Sequence, residues 1–203
     1  MHRQGRKVSC RFWCLRSWST QKDAGRAQVT DSVEIKTEPL DRLELAHTIV
    51  IPGCEDPFVE VPETVRIALR EAYVRGARLA SICTGAFILA ESGLLDGKRA
   101  TTHWRFAEDL AKLHPEIQVE PNVLFVDEGS IVTSAGASAG LDMCLHLVRR
   151  DYGQSVAANT ARLAATLNAE RFYQHCGFTG SAHAVYISPS GLRLACVPMR
   201  KQL

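Results

Sequence analysis

The sequence predicts an α/β fold in which short parallel strands form a sheet with helices on both faces. Short apolar, β-branched runs alternate along the chain with segments whose apolar residues repeat at helical spacing. The strand runs are almost continuously apolar, which is typical of strands buried on both faces of a parallel sheet. The length of 203 residues, with 46% hydrophobic and 23% charged residues, indicates one globular domain with appendages.

Six short strands are predicted from these runs and from the turns that end them. The first is stopped by Pro52-Gly53, and the last two are separated by a turn at Asp127-Glu128-Gly129. The predicted strands are 46–51, 77–82, 99–102, 117–119, 123–126 and 130–133.

The helices are predicted from apolar periodicity and from the glycine or proline residues that end it. The first opens at Pro62 and stops at Gly76, and the second is closed by Gly93. The later helices cover 104–113, a segment through Leu141 and Val148, and 155–167.

The two ends of the chain differ from this α/β pattern. Residues 1–22 carry six of the 24 basic residues and no acidic one, and we expect a basic, disordered tail. The last residues read as a helix over 169–176, followed by an antiparallel hairpin of 183–187 and 192–197. We therefore divide the chain into 1–22, an α/β domain over 23–165 and a C-terminal fragment over 166–203.

Composition also limits the class of protein. No apolar run reaches the roughly 18 residues of a membrane span, and no secretory signal is visible, so we expect a cytoplasmic protein with no membrane partner. The seven cysteines are odd in number and irregularly spaced, which argues against a disulfide framework. We expect neither a metal nor a cofactor.

The strongest chemical signal is Cys83 in the segment LASICTGAFILA. A buried strand runs directly into this cysteine and then, through Thr84-Gly85, into an apolar helix. A thiol at a helix N-terminus is favoured as the thiolate, and the amide groups of Thr84 and Gly85 could bind an oxyanion. His103 lies just past the next strand, where an imidazole could pair with the thiolate or move a proton.

A rival motif is Gly136-Ala137-Ser138-Ala139-Gly140, which fits the G-x-S-x-G serine elbow. Asp142 or Asp151, followed by His175 or His183, would supply the other members of a triad in the required order.

The segments ICTGAFILAESGLLDGKRATTHW and VDEGSIVTSAGASAGLDMCLHLVRRDYG closely resemble the ThiJ/PfpI superfamily, which is class I glutamine amidotransferase-like. The resemblance covers about residues 27–165 and is nearest to the ligand-sensing domain of AraC-family regulators; isonitrile hydratases share much of the pattern. It implies a flavodoxin-like three-layer sandwich, a homodimer, Cys83 at a nucleophile elbow and His103 as the histidine near it.

Two departures from the family pattern stand out. The family's acidic residue beside the cysteine, and the first strand that precedes its loop, are not found before Ala27, so we expect a sheet truncated at its N-terminus. Glu55, Asp56 and Glu60 are conceivable substitutes for the acid. Residues 168–203 resemble the final helix and hairpin of a GNAT acetyltransferase, without its acetyl-CoA-binding loop.

These observations predict a domain that senses a small-molecule ligand, is related to transcriptional regulators and does not itself contact nucleic acid. The alternative is a cysteine-dependent hydrolase or lyase, isonitrile-hydratase-like or amidase-like. The feature that separates the two is an acidic side chain beside Cys83.

Overall fold

The computed structural model describes residues 40–161 and, outside this range, the backbone of four strands at 26–30, 33–36, 184–187 and 193–196. The predicted tail over 1–22, the predicted helix over 169–176 and both predicted domain boundaries lie outside the described residues.

A four-stranded sheet forms the centre of the described chain. Its strands are β3 (Thr48–Ile51), β4 (Arg78–Ile82), β8 (Ile131–Ser134) and β7 (Phe125–Asp127), in that order. The first three are parallel, with Ile49 opposite Leu79 and Leu79 opposite Ile131. This arrangement confirms the predicted α/β fold with a mostly parallel sheet.

Strand β7 pairs with β8 in the antiparallel direction. Only residues 128–130 connect the two strands, and a parallel pair needs a crossover of a dozen residues or more. The predicted turn is present: the Gly129 N–H donates to Asp127 Oδ1 at 2.8 Å, and Gly129 has a φ of +82°. The connection length therefore decides the direction of this strand.

A separate two-stranded parallel sheet consists of β5 (Arg99–Ala100) and β6 (Gln118–Val119). The first strand is shorter than the predicted 99–102. The Thr101 N–H donates to the Thr133 side-chain oxygen at 2.9 Å, so the chain leaves the ladder there and is tied to β8 by a side chain.

The helices follow the predicted pattern. They are α1 (Glu63–Val74), α2 (Gly85–Glu91), α3 (Ala107–Leu113), α4 (Ala137–Tyr152) and a helix that begins at residue 154 and is described as far as residue 161. Two 3-10 helices, Leu40–Leu45 and Trp104–Phe106, precede β3 and α3. Gly76 and Gly93 follow α1 and α2 with φ of +89° and +69°, the left-handed conformation that commonly ends a helix.

The core lies on both faces of the central sheet. Ile49, Leu79 and Ile131 point to one face and pack in the cluster that includes the buried side of α1 and α2. On the other face, the first turns of α4 approach Ile82: a Cβ on Gly140 would lie 2.9 Å from Ile82 Cγ2. Helices thus cover both faces, as predicted.

An element that the sequence analysis missed is the antiparallel hairpin of β1 (Arg26–Thr30) and β2 (Val33–Lys36). Its signal is present in the sequence, because apolar and polar residues alternate on both sides of Asp31-Ser32.

The chain divides into two compact units, Met1–Met143 and Cys144–Leu203. The second unit contains an antiparallel hairpin of β9 (Ala184–Ile187) and β10 (Arg193–Cys196), with Arg193 opposite Ile187. This confirms the hairpin predicted at 183–187 and 192–197. Over the part of the chain that was searched, no helix has the length and apolar character needed to cross a membrane.

Helix α3 offers a matched test of the core. Leu110 is fully buried, whereas Leu113 on the same helix is 56% exposed. We expect Leu110→Ala to lower the free energy of unfolding by roughly 2–5 kcal/mol, because it leaves a cavity, and Leu113→Ala to lower it by less than about 1 kcal/mol. Urea unfolding of the two variants measures the difference. Equal losses would contradict the assignment of the buried face.

Candidate active site at the Cys83 elbow

Cys83 follows β4 directly and has a φ of +57°. Among the described residues, it is the only non-glycine residue with a positive φ. This conformation costs roughly 1–2 kcal/mol for a residue with a Cβ, and the surrounding contacts must hold it. The Cys83 N–H donates to the Ser134 carbonyl at 2.9 Å, and its carbonyl accepts from the Thr102 hydroxyl at 3.0 Å. The predicted sharp turn at Cys83 is therefore present.

The chain after β3 packs tightly against this turn. A Cβ on Gly85 would lie 2.5 Å from the Ile51 carbonyl oxygen and 2.7 Å from that of Pro52. A Cβ on Gly53 would lie 3.1 Å from Cys83 Cβ and 3.5 Å from its Sγ. Gly85 is needed because two backbones approach each other more closely there than a side chain allows, whereas a Cβ on Gly53 would press on the side chains of Thr84 and Cys83.

Thr84 fastens the two segments together. Its buried hydroxyl accepts from the Cys54 N–H at 2.9 Å and donates to the Cys54 carbonyl at 2.8 Å. The side chain of Thr84 therefore has a structural role that the sequence analysis did not identify. The oxyanion-binding role of the Thr84 and Gly85 amides stays a prediction.

His103 is half-buried and follows Thr102, whose hydroxyl donates a hydrogen bond to the Cys83 carbonyl. Its Nδ1 accepts from the Arg105 N–H at 3.3 Å, which places the proton of the neutral ring on Nε2. Its Cδ2 lies 3.9 Å from the position of a Cβ on Gly136. The elbow, the Thr102-His103 segment and the loop before α4 thus meet at one edge of the sheet, while a catalytic role for His103 stays a prediction.

Three phenylalanines from three different elements form an aromatic cluster, Phe58, Phe87 and Phe106. Their ring centroids are 5.9 to 6.4 Å apart, and every pair is edge-on. His103 extends the cluster at 6.0 Å from Phe106. Phe58 is 56% exposed, so the cluster reaches solvent. The cluster could not be predicted from the sequence, because no local spacing connects residues 58, 87 and 106.

Of the possible substitutes for the family's acidic residue, Asp56 forms a hydrogen bond within its own loop. Asp56 Oδ1 accepts from the Phe58 N–H at 2.9 Å and so closes a local turn. No hydrogen bond within residues 40–161 joins a carboxylate to the Cys83 thiol. In the same searched part of the chain, no group of three His, Cys, Asp or Glu side chains could hold a metal ion.

Cys54 is a second thiol beside the elbow that the sequence analysis did not select. Burial is the largest cause and raises the pKa of the Cys54 thiol; the neighbouring Thr84 side chain lowers this pKa, and the charge of Asp56 raises it further. The net result is a raised pKa, so Cys54 is a neutral thiol at neutral pH. No nearby sequence pattern connects residue 54 to residue 83.

The rival serine motif does not have the elbow conformation. Ser138 is the second residue of α4 and follows a loop without positive φ. Asp142 lies further along the same helix, and His175 and His183 lie outside the described residues. The strained turn belongs to Cys83.

Comparison with known proteins identifies relatives of this chain. The sequence model of the DJ-1/PfpI family matches residues 26–150. The chain is 35% identical over 124 residues to the HTH-type transcriptional regulator CdhR of Pseudomonas aeruginosa, covering 61% of this chain and 36% of that protein. It is 33% identical over 140 residues to the isonitrile hydratase of Pseudomonas putida, covering 66% of this chain and 58% of that protein. The chain thus spans about a third of the regulator's length.

Solved structures share the fold. An AraC family transcriptional regulator from Pseudomonas putida matches with a TM-score of 0.60 and 20% identity, over 68% of this chain and 75% of that one. Drosophila melanogaster DJ-1beta matches with a TM-score of 0.58 and 20% identity, over 70% of this chain and 76% of that one. These likenesses confirm the flavodoxin-like α/β fold. The family match ends at residue 150, and the acetyltransferase resemblance of residues 168–203 gains no support.

The contact at Gly85 gives a direct test of how the elbow is held. We expect Gly85→Ala to lower the free energy of unfolding by roughly 1–3 kcal/mol, because its Cβ would collide with two carbonyl oxygens that cannot move independently. Gly136→Ala is the matched control, since its Cβ would meet nothing closer than 3.9 Å. Chemical denaturation compares the two, and a Gly85→Ala protein as stable as Gly136→Ala would disprove the close packing.

The raised pKa of Cys54 predicts how its alkylation depends on pH. Only the thiolate reacts, so at pH 8 Cys54 should be alkylated more slowly in the folded protein than in the same protein unfolded in urea. The alkylation rate of Cys54 in the folded protein should also continue to rise at pH values where the rate in the unfolded protein has levelled off. Iodoacetamide labelling followed by peptide mapping measures both rates. Identical pH profiles in the two states would contradict the burial of this thiol.

Proposed function

This chain belongs to the DJ-1/PfpI family, and we propose that it binds a small organic molecule at the Cys83 elbow, as the sensing domain of a transcriptional regulator would. The observation that carries the proposal is an aromatic cluster open to solvent beside an elbow cysteine that has no hydrogen bond to a carboxylate of the described residues. The similarity to regulators such as CdhR supports this role.

The chemistry of the site suits binding. Phe58 offers an exposed ring to the apolar part of a ligand, and edge-on packing against Phe87 and Phe106 holds that ring in place. His103 adds a hydrogen-bond donor through Nε2 at the side of the cluster. Apolar walls with a few polar groups are the usual composition of small-molecule sites.

The alternative function is that of a cysteine-dependent hydrolase or lyase, which the similarity to isonitrile hydratase favours. In that role Cys83 would be the nucleophile and His103 would move a proton, with Thr84 and Gly85 amides near the developing charge. Cysteine nucleophiles depend on a partner that activates them, and no carboxylate in the described site is bonded to Cys83. This observation favours sensing over catalysis.

The cellular location, the oligomeric state and the partners of the chain are part of the same proposal. We propose that the chain acts in the cytoplasm as a homodimer and does not itself contact nucleic acid or membrane. The basis is the family resemblance and the location of the basic excess, which lies in residues 1–22 rather than in the α/β domain.

A thermal-shift screen of small organic molecules tests the proposal. We expect a compound that raises the melting temperature of the wild type and of Cys83→Ser alike, because binding does not need a nucleophile. Phe58→Ala should weaken this compound's binding about tenfold, equivalent to roughly 1.4 kcal/mol. Leu113→Ala, at a site of equal exposure outside the aromatic cluster, should leave it unchanged.

An activity assay on the wild type and on Cys83→Ser separates ligand sensing from catalysis. Hydration of an alkyl isonitrile gives an N-alkylformamide, which chromatography detects. We expect no more product from the wild type than from Cys83→Ser. Product formation that disappears in Cys83→Ser would replace the sensing proposal by the enzymatic one.

A further inference from the structure

Two half-buried free thiols, Cys54 and Cys83, lie on the two segments that meet at the elbow. The Thr84 hydroxyl bonds both the N–H and the carbonyl of Cys54, and Thr84 is the residue that follows Cys83. The position of a Cβ on Gly53 is 3.5 Å from Cys83 Sγ, and Cys54 is the next residue, with about 3.8 Å between neighbouring Cα atoms. The backbone of Cys54 therefore lies beside the turn that carries Cys83.

We propose that Cys54 and Cys83 form a reversible disulfide when the protein meets a peroxide. Cysteines whose Cα atoms are about 4.4–6.8 Å apart can be bridged directly. The Gly53 contact with Cys83 brings the 53–54 backbone close to the elbow, and Gly53 has no side chain to obstruct a further approach. Cys54 would thereby protect Cys83 from irreversible oxidation.

The reaction has two steps. The Cys83 thiolate attacks one peroxide oxygen, so that an S–O bond forms, the O–O bond breaks and the other oxygen leaves, protonated, as an alcohol or water. Cys83 is thereby oxidised to the sulfenic acid, and the peroxide is reduced. The Cys54 sulfur then attacks Cys83 Sγ; the S–S bond forms, the S–O bond breaks, and the hydroxide leaves as water with the Cys54 proton. An external dithiol reverses the bridge.

The two thiols have different environments, and this difference decides which thiol reacts with the peroxide first. Cys83 occupies the elbow, whereas burial keeps Cys54 protonated and hence unreactive toward peroxide in the resting state.

Tryptic mapping of the full chain tests the proposal without ambiguity. Cleavage after Arg42, Arg66, Arg78 and Lys98 places Cys54 in peptide 43–66 and Cys83 in peptide 79–98, each with a single cysteine. The reduced protein is treated with one equivalent of hydrogen peroxide, alkylated with iodoacetamide and digested without reductant. We expect a cross-linked 43–66/79–98 species in the mass spectrum, which dithiothreitol converts to the two separate peptides.

Variants make the test specific. In Cys54→Ser the cross-link should be absent, and with at least three equivalents of hydrogen peroxide Cys83 should gain two or three oxygens that dithiothreitol does not remove. Cys144→Ser, which removes the other half-buried thiol of the described residues, should keep the cross-link. Wild-type protein in which Cys83 is overoxidised while Cys54 remains alkylated, or in which Cys83 is linked to another cysteine, would overturn the proposal. Neither outcome depends on whether the site binds a ligand.

Discussion

The close approach between the chain that leaves β3 and the start of α2 is the constraint on which the site depends. Gly85 permits it, because any Cβ there would enter the space of the Ile51 and Pro52 carbonyl oxygens. The Thr84 hydroxyl then fixes the same approach by bonding both backbone groups of Cys54. With these contacts in place, Cys83 remains at a φ of +57°. The hydrogen bonds of Thr84 to Cys54, together with those of Cys83 to Ser134 and Thr102, offset the energy of the strained turn.

The part of this arrangement that depends on local sequence could be predicted. A buried run that ends at Cys83 and continues through Gly85 into an apolar helix already indicates a strand, a sharp turn and a helix. The parallel sheet follows from the same kind of pattern, and its register places the ends of β4 and β8 side by side. The hydrogen bond between the Cys83 N–H and the Ser134 carbonyl joins these two ends. Periodicity and turn residues are sufficient for that level of detail.

The features that sequence reasoning missed depend on contacts between distant segments. Cys54 and Thr84 are 30 positions apart, and the aromatic cluster joins residues 58, 87 and 106. No period or motif connects such positions, since the folded sheet and not the chain brings them together. The direction of β7 is a different case: the three-residue connection to β8 already required an antiparallel pair. The hairpin over 26–36 also had a readable alternation.

The segment over 52–61 links the two proposed properties of the site. It carries Cys54, whose backbone is bonded to Thr84, and Phe58, whose ring packs edge-on against Phe87 and Phe106. The Asp56 carboxylate closes the turn between these residues by accepting from the Phe58 N–H. A bridge from Cys54 to Cys83 would therefore form in the same short segment that carries the aromatic ring we propose contacts the ligand.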